Sequence, residues 1–172
     1  MTVTATGRGD PDTGPVARRE GGAQVLRVPP PLYYAAGFVA GMVLRTTTVP
    51  LAIGARPVTS AAGAFVLAAG SALVLAGVGA VVRHRTTIVP HHAVSMLLTT
   101  GVYRLSRNPM YTGSAIAYFG GALIAGSWWP LATLPIALLV VRRVVIDPEE
   151  RYLTSQFGPA YADYQARTRR WL

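Results

Sequence analysis

The chain has no cysteine and no lysine, and only 13% of its residues are charged. Without cysteine there is neither a disulfide scaffold nor a thiolate metal site. A soluble domain carries about 25% charged residues, so water-facing surface is in short supply. Acidic residues are scarcer still. Asp10, Asp12 and Glu20 lie near the start, and Asp147, Glu149, Glu150 and Asp163 near the end. Nothing acidic stands between residues 21 and 146. A water-exposed surface would rarely forgo carboxylates for so long. The three histidines, His84, His91 and His92, have no carboxylate nearby and match no standard ligand spacing, so no metal site is expected.

What is present is apolar. Hydrophobic residues make up 51% of 172, and the mean hydropathy is +0.37. Disorder is excluded as the main state. The length suits one domain with tails. Residues 1–28 read as a flexible cytosolic tail, and residues 29–172 as one membrane domain. The expected fold is all-α: a polytopic transmembrane bundle of about four spans with cytosolic C-terminal helices. The spans are expected at about 30–52, 61–82, 111–127 and 130–146, with the helices over 147–172. A short helix is expected across Ala93 to Leu98.

The clearest span is 61–82, which is uncharged and contains one serine. At about 1.5 Å per residue it crosses the hydrocarbon. Gly63, Gly70 and Gly77 recur every seven residues and share one face, a stripe for close packing within the chain or between copies. Gly37 and Gly41 form a GxxxG pair, which chance explains equally well in a glycine-rich chain. Arg45 is expected to snorkel to the far interface. The run 110–146 is too long for one span and divides at Gly126-Ser127-Trp128-Trp129-Pro130 into a hairpin.

All 16 basic residues are arginine. They do not form one dense field, which argues against nucleic acid as a partner. With four spans and both termini inside, fourteen arginines face the cytosol, and Arg45 and Arg56 lie outside. The positive-inside rule favours that orientation. The expected location is the inner membrane of a bacterium.

Two polar clusters flank the hairpin on the cytosolic side. One runs from Gly101 to Tyr111; the other joins Arg142-Arg143 to Asp147-Pro148-Glu149-Glu150-Arg151-Tyr152. The hairpin brings them together. A bland account has Arg104 and Arg107 on lipid phosphates and Arg142 in ion pairs with Glu149 or Glu150. The alternative is a ligand pocket. Arginine fits a carboxylate bidentately, glutamate accepts from hydroxyls or an ammonium, and tyrosine faces stabilise a cation.

The run Gly-x-Tyr-Arg-x-x-Arg-Asn-Pro-Met-Tyr at 101–111 resembles the signature of integral membrane methyltransferases related to isoprenylcysteine carboxyl methyltransferase and phospholipid methyltransferases. The second half matches too: Glu149-Glu150-x-Tyr152-Leu153, Phe157-Gly158-x-x-Tyr161-x-x-Tyr164 and Arg169-Arg170-Trp171. The resemblance covers roughly 83–172. It implies S-adenosylmethionine as methyl donor in a cytosol-facing pocket. The acceptor it implies is lipophilic and comes from the bilayer. A carboxylate of an isoprenoid or similar lipid is favoured over an amine.

The resemblance makes Tyr103, Arg107, Asn108, Pro109, Tyr111, Glu149, Glu150 and Tyr161 candidates for holding the donor. Arg104, Arg142 and Glu150 are candidates for the chemistry, the two arginines by orienting an anionic acceptor or the donor's carboxylate. Position 108 is often histidine in the family; Asn108 cannot titrate near neutral pH, so it positions rather than acts as a base. Position 102 is often proline and is Val102 here. Two other readings stay open: an NADPH-dependent reductase related to sterol reductases, and a non-catalytic lipid-binding or assembly protein. The oligomeric state is open.

Overall fold

A computed structural model describes residues 29–83 and 97–172. The expected tail at 1–28 and His84, His91 and His92 lie outside these residues, as does most of the helix expected across Ala93 to Leu98. Leu97 and Leu98 themselves are not helical.

The described residues form helices α1 (Pro31–Thr47), α2 (Arg56–Arg83), α3 (Pro109–Ala125) and α4 (Trp128–Val141), then α5 (Asp147–Phe157) and α6 (Pro159–Arg167). A 3₁₀ turn, Gly101–Arg104, precedes α3, and a π turn, Arg142–Ile146, joins α4 to α5. Proline opens α1, α3 and α6, where its fixed φ suits a helix start and its missing N–H costs nothing. Ser127 caps α4 by accepting from the Trp129 amide at 3.4 Å.

The expectation of about four spans is corrected. Among the described residues, two helices are long and apolar enough to cross a membrane: Arg56–Arg83, and the continuous helix Trp128–Phe157. α1 and α3 have 17 residues each, about 25 Å at 1.5 Å per residue, against a hydrocarbon core of about 30 Å. The local chemistry explains the difference. The hydroxyls of Thr46, Thr47 and Thr48 bond back to the carbonyls of Val43 and Leu44, and α1 stops there rather than running to residue 52. Gly126, left-handed at φ +63°, stops α3. The last expected span does not end at 146, because the π turn absorbs the irregularity and the helix continues to Phe157.

Only 17% of the most apolar window of α2 is buried. Phe65 is 77% exposed and Leu75 70%. The core helix of a soluble protein would be covered, whereas hydrocarbon solvates such a face. The chain is an integral membrane protein.

The helices pack mainly as two pairs, α2 with α3 and α1 with α4. Both seams run through glycine. A Cβ on Gly63 would lie 2.7 Å from the Gly120 carbonyl oxygen, and one on Gly113 2.7 Å from that of Gly70. The stripe of Gly63, Gly70 and Gly77 therefore packs within the chain. Gly41 approaches the Pro130 backbone in the same way, and Gly37 meets Ala137. Between the pairs, Tyr118 stacks edge-on to Phe38 at 5.2 Å and shares a 2.7 Å hydrogen bond with Thr133.

One end of the bundle is sewn shut. The Arg45 guanidinium donates to the Ala125 carbonyl at the C-terminal end of α3 (2.9 Å) instead of reaching outward. The Ile53 amide donates to Gly126, the Trp128 amide to Leu51, and the Trp129 indole to Val49. The polar residues gather at the other end.

Gly70→Ala and Gly79→Ala test the seam. The first forces α2 off the α3 backbone and is expected to cost about 2–3 kcal/mol. A Cβ on Gly79 meets nothing within 4 Å, and its replacement is expected to be neutral or to stabilise by about 0.5–1 kcal/mol. Denaturation in mixed micelles checks both.

Candidate active site

Three stretches distant in sequence converge at the open end: residues 103–112, the first turn of α5, and Thr168–Leu172 after α6. Neighbouring residues on a helix point about 100° apart, so Glu149 and Glu150 face different partners.

Glu150 is buried, 8% exposed. Its Oε1 accepts from Arg170 Nε at 3.1 Å and its Oε2 from Arg170 Nη2, a two-pronged pair. Arg107 Nη2 stands 3.5 Å from the same Oε1. Arg170 Nη1 also reaches Asp147 Oδ1 at 3.4 Å. The bond to Glu150 holds the Arg170 guanidinium more firmly protonated than usual. Glu149 turns toward α3 and accepts from the Tyr111 hydroxyl at 3.1 Å. Tyr34 of α1 donates to the Tyr111 carbonyl at 3.1 Å.

The segment Thr168–Leu172 is clamped to the loop before α3. The Arg107 amide donates to the Arg169 carbonyl at 2.9 Å. The Arg170 carbonyl accepts from Ser106 Oγ at 3.0 Å and Asn108 Nδ2 at 3.1 Å. Ser106 Oγ also accepts the Asn108 amide and lies 3.1 Å from Thr112 Oγ1. The Tyr164 hydroxyl donates to the Tyr103 carbonyl. Burial, and then the charge of Glu149, pushes the Tyr103 phenol up to about 12. Burial raises Tyr161 and Tyr164 as well. These phenols stay protonated at neutral pH and serve as donors, not bases.

The Arg107 side chain is unusual. Its Nε and Nη1 are buried and have no hydrogen-bond partner among the described residues. Buried guanidinium donors are costly to leave unpaired. Two spaces adjoin the cluster. A polar cleft of about 440 Å³ lies over Asp147, Glu150, Thr154 and Arg170. An open apolar groove of about 780 Å³ runs between α2, α3 and α4, with Val66, Phe119 and Leu139 on its walls and Thr112, Arg142 and Trp171 at its polar end.

Of the residues expected at the site, Tyr103, Arg107, Asn108, Pro109, Tyr111, Glu149, Glu150 and Tyr161 fall in this region. The fully buried Tyr161 lies within the fields of Glu150 and Arg107. The Asn108 side chain is engaged by the Arg170 carbonyl. Arg104 is exposed and has no ion-pair partner among the described residues. Arg142 stands apart from the glutamates, half exposed and 4.0 Å from Asp147 Oδ1. Thr112 was not expected at the site, and Asp147, Ser106, Tyr164 and Arg170 lay in the polar clusters or the motif without an assigned role. Arg170 stands in the terminal Arg-Arg-Trp run, which gave the resemblance but assigned it no role.

These features define a helical membrane protein with a charged, tyrosine-rich centre at one end of its bundle. The phospholipid methyltransferase family matches residues 58–160, more than half of the chain, and the chain belongs to that family. Similarity also extends to the cobalt-zinc-cadmium resistance protein CzcN of Cupriavidus metallidurans, 35% identical over 72 residues. That match covers 42% of this chain and 33% of CzcN, so the chain spans a third of that relative's length. No solved structure matches.

Glu150→Ala leaves two guanidinium groups facing each other without their shared acid. Breaking a buried ion pair costs about 3–5 kcal/mol, and a loss near the lower figure is expected because Arg170 keeps Asp147. Arg142→Ala, at a half-exposed pair, is expected to cost less than about 1 kcal/mol. Unfolding midpoints of the two variants in the same detergent check the contrast.

Proposed function

We propose that the protein transfers a methyl group from S-adenosylmethionine to a lipophilic acceptor that enters from the bilayer, with the carboxylate of an isoprenoid or other lipid-like molecule as the favoured acceptor. Family membership supports the donor. The observation that carries the reading is the Arg107 guanidinium, which stands 3.5 Å from Glu150 while its buried Nε and Nη1 have no hydrogen-bond partner among the described residues, two donors that suit a ligand's carboxylate.

The donor suits these residues. Its amino acid portion carries an anion for Arg107 and an ammonium for Glu149 or Glu150, and Tyr103, Tyr111 and Tyr161 supply aromatic walls. When bound, S-adenosylmethionine supplies an electrophilic methyl group on a sulfonium. The chain's residues hold, orient and desolvate the reactants. Asn108 cannot titrate, and the phenols around it stay protonated. A carboxylate acceptor, already ionised, needs no base, which favours O- over N-methylation. Arg142 at the end of the groove is the group we assign to orienting an anionic acceptor; exposed Arg104 is better suited to lipid phosphates.

The orientation follows from charge. Arg45 and Arg56 stand at the sewn end, while Arg83, Arg104, Arg107, Arg142, Arg143, Arg151, Arg167, Arg169 and Arg170 gather at the other. That bias does not depend on the number of spans, and by the positive-inside rule it supports a site facing the cytosol, in keeping with the inner membrane of a bacterium.

Calorimetric titration of the detergent-purified protein with S-adenosylhomocysteine tests the reading. Saturable binding is expected, weakened at least about tenfold, or about 1.4 kcal/mol, in Arg107→Ala. Arg107→Lys serves should the alanine variant not fold. Folded protein that binds NADPH and not S-adenosylhomocysteine would instead make the reductase reading correct.

A further inference from the structure

We infer that Trp171 is the depth stop of the apolar groove, the residue that sets how far an acceptor's chain lies from the charged centre. This rests on the proposed reading of the groove as the acceptor's site.

The argument starts from position. Trp171 lines the end of the groove with Thr112 and Arg142. Its ring packs against the buried cluster of Tyr34, Tyr118 and Val141. On the far side of the same segment, Arg170 grips Glu150 and Asp147. Trp171 therefore stands between hydrocarbon and charge.

Its place is held rigidly. The preceding carbonyl accepts two side-chain hydrogen bonds, from Ser106 and Asn108, and the one before it accepts the Arg107 amide. The Arg170 guanidinium adds an ion-paired anchor. Asn108 is thus a positioning residue that acts through Arg170 on Trp171. An indole fixed at the end of a slot is a good ruler because it has few rotamers and a large rigid face.

The occupant follows from the lining. From Thr112 to Phe119 the α3 wall rises about 10 Å, and the walls are apolar apart from Thr112 and Arg142. Two of the three walls belong to the membrane-crossing helices, so a chain can enter without leaving hydrocarbon. The one cation stands beside Trp171. The groove therefore takes a single acyl or isoprenoid chain with its anionic head at the Trp171 end.

Tryptophan fluorescence reads this without turnover. Trp128 and Trp129 lie at the sewn end, and Trp128→Phe/Trp129→Phe leaves Trp171 as the single emitter. Fatty acids brominated beside the carboxylate are expected to quench it strongly, and those brominated at the chain terminus weakly. Arg142→Gln is expected to raise the quencher concentration needed about fivefold. In methyl transfer to fatty or isoprenoid acids, Trp171→Ala is expected to lower the rate several-fold at every chain length, because the head no longer stops beside Arg142, and Trp171→Phe to restore it. Quenching independent of bromine position, or matched by brominated bulk phospholipid, overturns the proposal. So does an unchanged transfer rate in folded Trp171→Ala. Position-dependent quenching in a protein that neither binds S-adenosylhomocysteine nor methylates any acid would uphold the depth stop and defeat the methyltransferase reading.

Discussion

One carboxylate holds the functional end of this molecule together. Glu150 lies on a helix that continues a membrane span, and it pairs with Arg107 from the loop before α3 and Arg170 from the segment after α6. The two stretches also bond directly, through the Arg107 amide to the Arg169 carbonyl. A buried cluster of this kind repays its desolvation only when geometry is good and the remaining groups find partners. Glu150 meets that condition: both oxygens accept from Arg170, and Asp147 takes the third Arg170 nitrogen. Arg107 does not, since two of its nitrogens find nothing among the described residues. The cluster is satisfied on its Arg170 side and under-satisfied on its Arg107 side, and on the proposed function the second side takes a ligand's anion.

The glycine seams make the convergence possible. α3 must lie close to α2 for its N-terminal loop to come under α5, and Gly63, Gly70, Gly113 and Gly120 remove the side chains that would hold the helices apart. At the opposite end, Arg45 and the backbone bonds between the α1–α2 loop and the Gly126 turn fix the register of the two pairs. With one end fixed, side-chain interactions have only to organise the other. This separation of scaffold from site is familiar in membrane enzymes, where irregular backbone is tolerated only where protein or water satisfies it.

Much of this was legible in the residues. The seven-residue spacing of glycines pointed to a packed face, and the apolar hairpin pointed to the meeting of two polar clusters. Helix lengths were not legible. Threonine hydroxyls that return to their own helix end α1 early, and a π turn carries the last span onward; composition signals neither. Within the site, the motif residues came together, but Arg104 and Arg142 did not join the glutamates. A run of arginines does not say which one turns inward. Arg170 does so because its own backbone carbonyl is clamped by Ser106 and Asn108 and that of Arg169 by the Arg107 amide, a three-dimensional fact with no periodic trace in the sequence.

Asn108 shows how the parts depend on one another. At a position where a histidine would bring a titratable group, the amide instead donates to the Arg170 carbonyl. That bond contributes nothing to proton transfer. It holds the segment whose side chains pair with Glu150 on one face and line the groove on the other. With Tyr103 pushed up to about 12 and its neighbouring phenols raised as well, this part of the centre offers hydrogen-bond donors and fixed charge rather than a base. On the proposed chemistry such a centre suits an acceptor that arrives already ionised. On the same proposal the arginine beside the indole at the groove has a use: a carboxylate that needs no deprotonation must still be held in place, and a guanidinium holds it without taking part in proton transfer.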